Sequence, residues 1–327
     1  MWPRTLGILL AASSALVAGC GSDDGSKKNT PAGAPAKATA TNGLIVYGAE
    51  KEGVPTQLYT IKPDGTGATQ LTHVAGSEVV NPDWSLDGTQ LTYEVDSEKN
   101  AGIFVSAADG SGAHNLTPKG LQGQPSFSPD GASIVFERDP APADNGVWIM
   151  KRDGSGLHRL TRNPFHQPDI CGCDTDPNFS PDGKTITFVR IKSDDEHLAA
   201  LFAMDADGGH VRRLTPFADE VAIKHAWAPD GSRIAITVGA NPEPGASANI
   251  VTMRPDGTDR KRLTTFDDGR NAFVGSYSPD GTQIVLRLEN GDTHSLATIP
   301  SGGGAIHRLT TGTTRPRFID WGSAPVS

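Results

Sequence analysis

Alternating apolar and polar residues recur in short runs from residue 43 onward. The runs follow five copies of a motif in which an aromatic residue is followed, three and four positions later, by Asp-Gly. The third and fifth residues after each Gly are apolar, and this period of two predicts a strand with one buried face. Asp-Gly, usually preceded by Pro, favours a tight turn before that strand. Each copy therefore predicts a β-hairpin, and the five aromatic residues are Trp84, Phe127, Phe179, Trp227 and Tyr277.

A second spacing recurs in six copies and predicts a second hairpin in each repeat. In every copy an apolar residue stands thirteen positions before the Leu of a Leu-Thr pair, and in five copies Asp-Gly stands seven positions before that Leu. In the sixth copy Gly302 takes the place of the Asp. The leucines are Leu71, Leu116, Leu160, Leu214, Leu263 and Leu309. Two hairpins in a repeat of about 47 residues are typical of a four-stranded propeller blade.

The two ends of the repeat region are offset by one strand, which predicts how the ring closes. Ile45-Val46-Tyr47 matches the second strand of a repeat, and residues 317–321 match the first strand. Pairing of these two segments would complete the first blade and remove the free sheet edges. The sequence therefore predicts an all-β chain: a six-bladed β-propeller of four-stranded antiparallel blades over residues 43–322, closed by the C-terminal strand and followed by a tail at 323–327.

These motifs resemble the repeat of a known family. Pro-x-(Trp/Phe)-Ser-Pro-Asp-Gly, the Ile-x-Phe that follows it, and the later Asp-Gly that precedes Leu-Thr resemble the repeat of TolB-like propellers, and the resemblance covers residues 43–322. It implies the fold but no particular activity, because propellers of this kind serve many functions. In TolB itself a separate N-terminal α/β domain precedes the propeller, and residues 20–42 show no pattern for such a domain.

The N-terminal residues resemble a bacterial lipoprotein signal peptide. Arg4 supplies a positive charge, and an apolar run of thirteen residues follows from Leu6 to Ala18. A bilayer-spanning helix takes about 20 residues, so the run has instead the length of a signal-peptide core. Residues 16–20 read LVAGC and resemble the lipobox, in which the Cys is diacylated and becomes the new N-terminus. Residues 1–19 are therefore expected to be a lipoprotein signal peptide and Cys20 the lipidated residue; the alternative is an ordinary signal with an incidental Cys.

A membrane anchor and an exported location follow from these features. Residues 21–42 lack large apolar side chains, so residues 20–42 predict a lipidated Cys and a disordered tether of about 26 Å. Two acyl chains would hold the domain firmly on the outer face of the cell membrane, or in the periplasm or at the outer membrane. The formal net charge is −9 and no dense basic cluster is present, which disfavours nucleic acid as a partner. A monomer is expected.

Two further cysteines leave three interpretations open. Cys171 and Cys173 flank a single Gly, and an exported pair usually forms a disulfide. The ring would be very small and strained, so free thiols are an alternative. Zinc binding together with His166 and nearby Asp residues is a third, but the spacing matches no standard site. The length of this loop, Arg162 to Asn178, favours recognition instead.

The position three residues before each repeat aromatic predicts the mouth of the central channel. Candidate ligand-binding residues at or beside this position are Asn81, Gln124, Asp176, Lys224 and His225. Their amide, carboxylate, ammonium and imidazole groups suit a peptide or a sugar, although such groups also line wet channels that bind nothing. The five side chains are expected to be exposed, so their substitution should change the free energy of unfolding by less than about 0.5 kcal/mol. The repeat aromatics are expected to pack between blades.

Six of the nine histidines bear on a possible metal site. Three histidines stand two positions before a repeat Leu and are expected on the exposed face of the fourth strand: His114, His158 and His307. His73, His166 and His225 lie instead in the loops that return towards the axis. The Asp residues of the Asp-Gly turns lack the further oxygen ligands of a calcium loop. No metal site is therefore predicted.

The sequence favours a non-catalytic binding or scaffold propeller of the cell envelope, with a protein, a peptide or a glycan as its ligand. Propellers of this kind accompany prolyl-oligopeptidase-type peptidases, but those need a hydrolase domain with Gly-x-Ser-x-Gly, a motif absent from this sequence. Another alternative is a polysaccharide lyase of the oligogalacturonate type, which resembles this repeat family and uses a metal with His ligands at the propeller centre. No cofactor is predicted for the binding function.

Overall fold

The computed structural model describes residues 40–97, 100–117, 122–138, 145–165, 173–192, 198–240 and 245–325. The predicted signal peptide, Cys20, the tether up to residue 39, His166 and Cys171 lie outside these residues. Within them, no helix is both long and apolar enough to cross a membrane. The described residues form β-strands and one short 3₁₀ helix, Phe217–Asp219.

The strands form six four-stranded antiparallel sheets, numbered here as blades in chain order. Blade 1 contains β1 (Asn42–Lys51), β2 (Val54–Ile61) and β3 (Thr69–Gln70), together with β24 (Arg315–Ser323). Blade 2 contains β4 (Glu78–Trp84), β5 (Gln90–Asp96), β6 (Gly102–Ala107) and β7 (His114–Asn115). Blade 3 contains β8 (Gln122–Phe127), β9 (Ser133–Arg138), β10 (Gly146–Lys151) and β11 (His158–Arg159).

The other three blades repeat this order. Blade 4 contains β12 (Asp174–Phe179), β13 (Thr185–Ile191), β14 (Ala199–Asp205) and β15 (Arg212–Arg213). Blade 5 contains β16 (His225–Trp227), β17 (Ile234–Val238), β18 (Asn249–Met253) and β19 (Lys261–Arg262). Blade 6 contains β20 (Asn271–Tyr277), β21 (Gln283–Asn290), β22 (Thr293–Pro300) and β23 (His307–Arg308). The predicted six-bladed propeller is confirmed.

The first strands of the blades surround the central axis. Each contacts the first strand of the next blade around the ring, from β24 to β4 and onward to β20 and back to β24. The fourth strands, two residues each, are therefore outermost. A residue three positions before a repeat aromatic therefore lies within a first strand or, like Lys224, directly before one, and so near the channel.

The ring closes as the sequence predicts. The closing strand β24 pairs antiparallel with β1, with Trp321 opposite Ile45 and Asp320 opposite Val46. The indole Nε1 of Trp321 also donates a hydrogen bond to the carbonyl of Gly43, at 3.2 Å. The edge of β1 is thereby paired, which removes an exposed template for aggregation.

The thirteen-residue spacing has a hydrogen-bonding cause. In blade 4 the backbone N–H of Leu214 donates to the carbonyl of Leu201 at 2.8 Å. The N–H of Leu201 donates in turn to the hydroxyl oxygen of Thr215 at 2.9 Å. The same pair of bonds recurs in the other five blades, through the threonines Thr72, Thr117, Thr161, Thr264 and Thr310. Each Leu-Thr pair thus fastens the short outer strand to the strand before it.

The repeat aromatics pack between blades, as predicted. Trp84 of blade 2 lies in one hydrophobic cluster with Val46 and Leu58 of blade 1. Tyr277 of blade 6 lies with Ala235 and Ile250 of blade 5. The core of the molecule is consequently a ring of six hydrophobic layers between neighbouring blades.

Candidate functional site

A β-bulge interrupts the first strand of most blades at the predicted channel mouth. The pairing register slips between Val80 and Asp83 in β4, and at the matching places in β8, β12, β20 and β24. Asn81, Gln124 and Asp176 take left-handed backbone conformations there, with φ of 51°, 53° and 46°. Bulges re-aim side chains and are common beside functional sites. These three candidate residues therefore occupy special backbone positions within the innermost strands.

Asp176, Lys224 and His225 come together, as the sequence predicts. Asp176 Oδ1 lies 3.7 Å from Lys224 Nζ, and Asp176 Oδ2 lies 2.8 Å from His225 Nδ1. The backbone N–H of His225 also donates to Asp176 Oδ2, at 3.1 Å. The expectation that all five candidates are exposed is wrong: Asp176 is 5% and His225 1% exposed, and the other three side chains are partly buried. Packing of blade 5 against the bulge of blade 4 covers Asp176 and His225.

A buried hydroxyl completes a chain of polar contacts through His225. His225 Nε2 lies 2.7 Å from Thr187 Oγ1, and the indole N–H of Trp227 donates to the same oxygen at 2.8 Å. Carboxylate, imidazole and hydroxyl thus follow one another as in a hydrolase triad. Thr187 is fully buried, however, so no substrate can reach its oxygen. The chain of contacts holds blades 4 and 5 together.

Two further carboxyl groups, those of Asp83 and Asp320, interact electrostatically with Lys224. The sequence patterns did not single them out. Burial would lower the pKa of Lys224, but Asp176, Asp320 and Asp83 together raise it. Burial also raises the pKa of Asp83 well above its usual range, and the Asp320 carboxylate adds to that effect. Burial would also raise the pKa of Asp176, but the interactions with Lys224 and His225 outweigh burial and lower this pKa. Lys224 is therefore a charged ammonium held among carboxyl groups of three blades.

Asp83 and Asp320 also link neighbouring blades. Asp320 Oδ2 accepts the backbone N–H of Trp84 at 2.8 Å, and Asp83 Oδ2 accepts that of Phe127 at 2.8 Å. Ser276 accepts the N–H of Trp321 in the same way, at 2.7 Å. In blades 1, 2 and 6 the residue directly before the repeat aromatic thus holds the first strand of the next blade. Comparison of the repeats identifies this position, but it does not predict that the side chain binds the neighbouring blade.

Asn81 and Gln124 contact a fourth carboxyl group, that of Glu94 in β5. Asn81 Nδ2 donates to Glu94 Oε2 at 2.7 Å, and the backbone N–H of Gln124 donates to the same oxygen at 3.2 Å. Burial raises the pKa of Glu94, although both hydrogen bonds oppose that shift. With Asp96 and Glu137 these residues line a cavity of about 280 Å³. The sequence patterns missed Glu94 and Glu137 because both occupy ordinary strand positions.

A second cavity of about 220 Å³ opens beside the first. Asn81 lines both cavities, and Asp176 and Lys224 line the second. Arg287 and Arg317 face this second cavity as well. The five predicted residues therefore divide into an amide pair beside acidic groups and an Asp-Lys-His cluster, with Asn81 bordering both halves.

The profile of the TolB beta propeller domain matches residues 116–324 of the chain. The chain belongs to this family. The Tol-Pal system protein TolB of Francisella tularensis subsp. mediasiatica is 30% identical over 255 residues, which cover 66% of this chain and 57% of that protein. The crystal structure of TolB from Acinetobacter baumannii matches this TolB-family propeller with a TM-score of 0.68 at 22% identity, over 85% of this chain and 66% of that one.

Peptidase-named proteins also match this TolB-family propeller, over a small part of their length. The uncharacterized peptidase YuxL of Bacillus subtilis is 29% identical over 180 residues, which are 53% of this chain and 25% of that protein. Dipeptidyl-peptidase 5 of Porphyromonas endodontalis is 32% identical over 115 residues, or 16% of its length. The likeness therefore concerns one portion of each peptidase.

The remaining histidines and cysteines of this TolB-family propeller have simpler surroundings. The histidines of the outer strands, His114, His158 and His307, are exposed as predicted. His73 is exposed too. Cys173 is buried and disulfide-bonded, and its predicted partner Cys171 lies outside the described residues. Among those residues, no three His, Cys, Asp or Glu side chains are grouped so as to hold a metal ion.

Proposed function

We propose that this chain is a non-catalytic binding propeller of the cell envelope, and that its ligand enters the channel mouth formed by Asn81, Gln124, Asp176, Lys224 and His225. The observation that carries the proposal is that Asn81, Asp176 and Lys224 line one cavity of about 220 Å³. A cavity with a few convergent polar groups is the usual form of a binding site. A protein, a peptide or a glycan fits these groups.

The chemistry of the mouth supports binding rather than catalysis. The one carboxylate-imidazole-hydroxyl contact chain among the described residues ends at Thr187, which is fully buried. His225 is engaged by Asp176 and Thr187, and His73 lies apart in an exposed loop. The contact chain at this mouth thus ends in an inaccessible hydroxyl, and among the described residues no three His, Cys, Asp or Glu side chains are grouped as metal ligands.

An envelope protein is the partner that the relatives favour. Several relatives are named as proteins of the Tol-Pal system. The lipobox-like residues 16–20 suit the same location, with residues 1–19 removed, Cys20 acylated and residues 20–42 acting as a tether. The propeller, over residues 43–322, would then stand just off the membrane as a monomer.

Site-specific photo-cross-linking tests the channel mouth. A photoreactive phenylalanine analogue replaces Ile223, which is 37% exposed and lines the cavity. The matched control replaces Leu157, which is 42% exposed and lies outside it. After irradiation of living cells we expect a defined adduct, identified by mass spectrometry, from position 223 alone. No adduct at 223, or the same adducts from both positions, would place the ligand elsewhere.

The anchor is tested separately from the ligand. Mass spectrometry of the mature N-terminus should find a diacylated Cys20, and Cys20→Ser should release the domain or leave its precursor uncleaved. An unmodified Cys20, or cleavage at another residue, contradicts the lipoprotein proposal but leaves the proposed binding site intact.

A further inference from the structure

A basic cluster lies at the same mouth, where the closing strand meets blade 6. Arg287 of β21 and Arg317 of β24 line the cavity of about 220 Å³, together with Lys224, Phe273 and Phe318. These side chains come from blades 1, 5 and 6. Ring closure is what brings Arg317 next to Arg287.

Three guanidinium groups share two carboxylates in this cluster. Arg287 Nε and Arg315 Nε lie 2.9 Å and 2.6 Å from Glu289 Oε1. Arg317 Nη1 lies 3.3 Å from Glu50 Oε1, and Arg315 Nη1 lies 3.8 Å from Glu50 Oε2. The three guanidinium groups outnumber these two carboxylates, so the five groups together carry a net positive charge.

Arg287 is the least solvated of the three arginines. Its side chain is 14% exposed. Burial lowers its pKa to about 10; Glu289 opposes the shift, and the nearby Arg315 and Arg317 add to it. A positive group in this situation gains from a further anion, because the penalty for its burial falls when the charge is paired.

Two of the guanidinium groups lie over aromatic rings. The Arg287 guanidinium lies 4.1 Å from the centre of the Phe273 ring, and that of Arg317 lies 4.6 Å from the Phe318 ring. The ion pairs with Glu289 and Glu50 use Nε of Arg287 and Nη1 of Arg317. Stacked, oriented guanidinium groups lose little freedom when they bind a planar anion.

We propose that Arg287 and Arg317 form a carboxylate subsite, which binds either the C-terminal carboxylate or an acidic side chain of a peptide ligand. Guanidinium and carboxylate match in geometry through parallel N–H···O bonds. The subsite rests on the proposed function, because it names the group by which the mouth recognises its ligand.

The rest of the lining favours a peptide. Ile223, Phe273 and Phe318, which are exposed or partly exposed, line the cavity beside the arginines. Apolar side chains of this kind offer few partners to the hydroxyl groups of a sugar. They suit the apolar side chain next to a peptide carboxylate, while Asn81 can hydrogen-bond the peptide backbone.

Saturation-transfer NMR on the purified full chain tests the subsite with three synthetic tripeptides. The probes are N-acetyl-Gly-Ala-Phe with a free C-terminus, its C-terminal amide, and N-acetyl-Gly-Glu-Phe amide. We expect saturation transfer to at least one charged peptide and none to the neutral amide. Transfer to the first probe identifies a C-terminal carboxylate as the ligand group, and transfer to the third identifies an acidic side chain.

Arg317→Gln should weaken binding of the charged peptide about tenfold, as expected for loss of one charged hydrogen-bonding partner. Arg317→Lys keeps the positive charge but lacks the paired N–H donors of a guanidinium group, so it should bind the charged peptide with intermediate affinity. The matched control is Arg270→Gln, because Arg270 also stacks on a ring, Phe266 at 4.3 Å, and pairs with Asp268 at 2.9 Å, but lies outside the cavity. This control should bind like the wild type.

Three results overturn the subsite: equal transfer to the acid and its neutral amide, no transfer from the wild type to either charged peptide, or unchanged affinity in Arg317→Gln. If these results accompany a specific adduct at position 223, the mouth still binds a ligand and only the carboxylate subsite is wrong. If no adduct forms but the charged peptide binds and Arg317→Gln weakens it, the subsite holds and the envelope partner is wrong.

Discussion

Asp83 and Asp176 interact with the same ammonium group, Lys224, yet their protonation equilibria differ. Burial and the Asp320 carboxylate raise the pKa of Asp83. Asp176 lies closer to Lys224 and contacts His225, which together lower its pKa despite its burial. The folded protein thus disfavours the ionised form of Asp83 and favours the ionised form of Asp176.

Asp83→Asn is expected to raise the free energy of unfolding near pH 7, because it removes a buried carboxyl group whose ionisation the folded state opposes. The folded pKa of Asp83 is raised, so the folded state holds more protons than the unfolded state above about pH 3.8, and wild-type stability falls as pH rises through that window. Asn does not ionise, and its oxygen still accepts the Phe127 N–H. Urea unfolding at pH 7 measures the gain, which should vanish near pH 3.

The turn carboxylate Asp87 serves as the control for Asp83. Hydrogen bonds from Ser85 and Thr89 lower its pKa, so its contribution is present above about pH 3.8 and is lost as pH falls through the folded pKa. Asp87→Asn should therefore lower stability at pH 7. A loss of stability at pH 7 in both variants would contradict the raised pKa of Asp83.

Asp176→Ala should lower the free energy of unfolding by roughly 3 kcal/mol, because it leaves Lys224 and the His225 N–H groups without their buried partner. This replaces the sequence expectation of a nearly neutral change. Asp268→Ala removes a surface pair with Arg270 and should cost less than about 1 kcal/mol. Thermal or urea unfolding compares the two; equal, small effects would show that the Asp176 cluster adds nothing to stability.

At the scale of the strand, the Leu-Thr pair depends on a buried hydroxyl oxygen. Thr215→Val keeps the shape of the side chain but leaves the N–H of Leu201 unpaired, and should lower the free energy of unfolding by about 1–3 kcal/mol. Thr215→Ser keeps the oxygen and should cost less. Urea unfolding of both variants measures the two losses of stability. A larger loss of stability in Thr215→Ser than in Thr215→Val would mean that packing of the methyl group matters more than the hydrogen bond.

The strand pattern was predictable because its bonds join residues at fixed separations. Leu201 and Thr215 are fourteen residues apart, and the equivalent bond in every other blade spans the same distance. The bulge at Asp176 was not predictable, since it follows from how β12 pairs with β13. Burial of His225 follows from that bulge and from Thr187, which occupies an ordinary strand position.

At the scale of the whole molecule, the register of the repeat placed Asp176, Lys224 and His225 together correctly. It missed Glu94, because that residue lies on a second strand and enters the mouth beside the bulges of two blades. The arginine cluster was missed for a similar reason. Arg287 belongs to blade 6 and Arg317 to blade 1, and no repeat position connects them.

Deleting residues 315–327 should abolish cooperative melting, because it exposes the edge of β1 and removes Asp320 and Trp321 from two inter-blade layers. Gly322→Ala is a milder test, since a Cβ at 322 would lie 2.6 Å from the Trp84 ring. It should lower the melting temperature by several degrees, at a cost of about 1–3 kcal/mol. Calorimetry of both variants measures the role of closure, and wild-type melting of the truncated chain would refute it.

The pairing of β1 with β24 also sets the order of events when the chain is made. Gly43 and Trp321 are hydrogen-bonded but 278 residues apart in sequence, so the first strands leave the ribosome long before their partner exists. Blades 2 to 6 can each form from consecutive residues, whereas blade 1 must wait with Ile45 and Ile61 uncovered. Long-range pairing of this kind is slow and leaves apolar surface open to aggregation. Blade 1 is therefore the part of the ring that a nascent or translocating chain most needs to have protected.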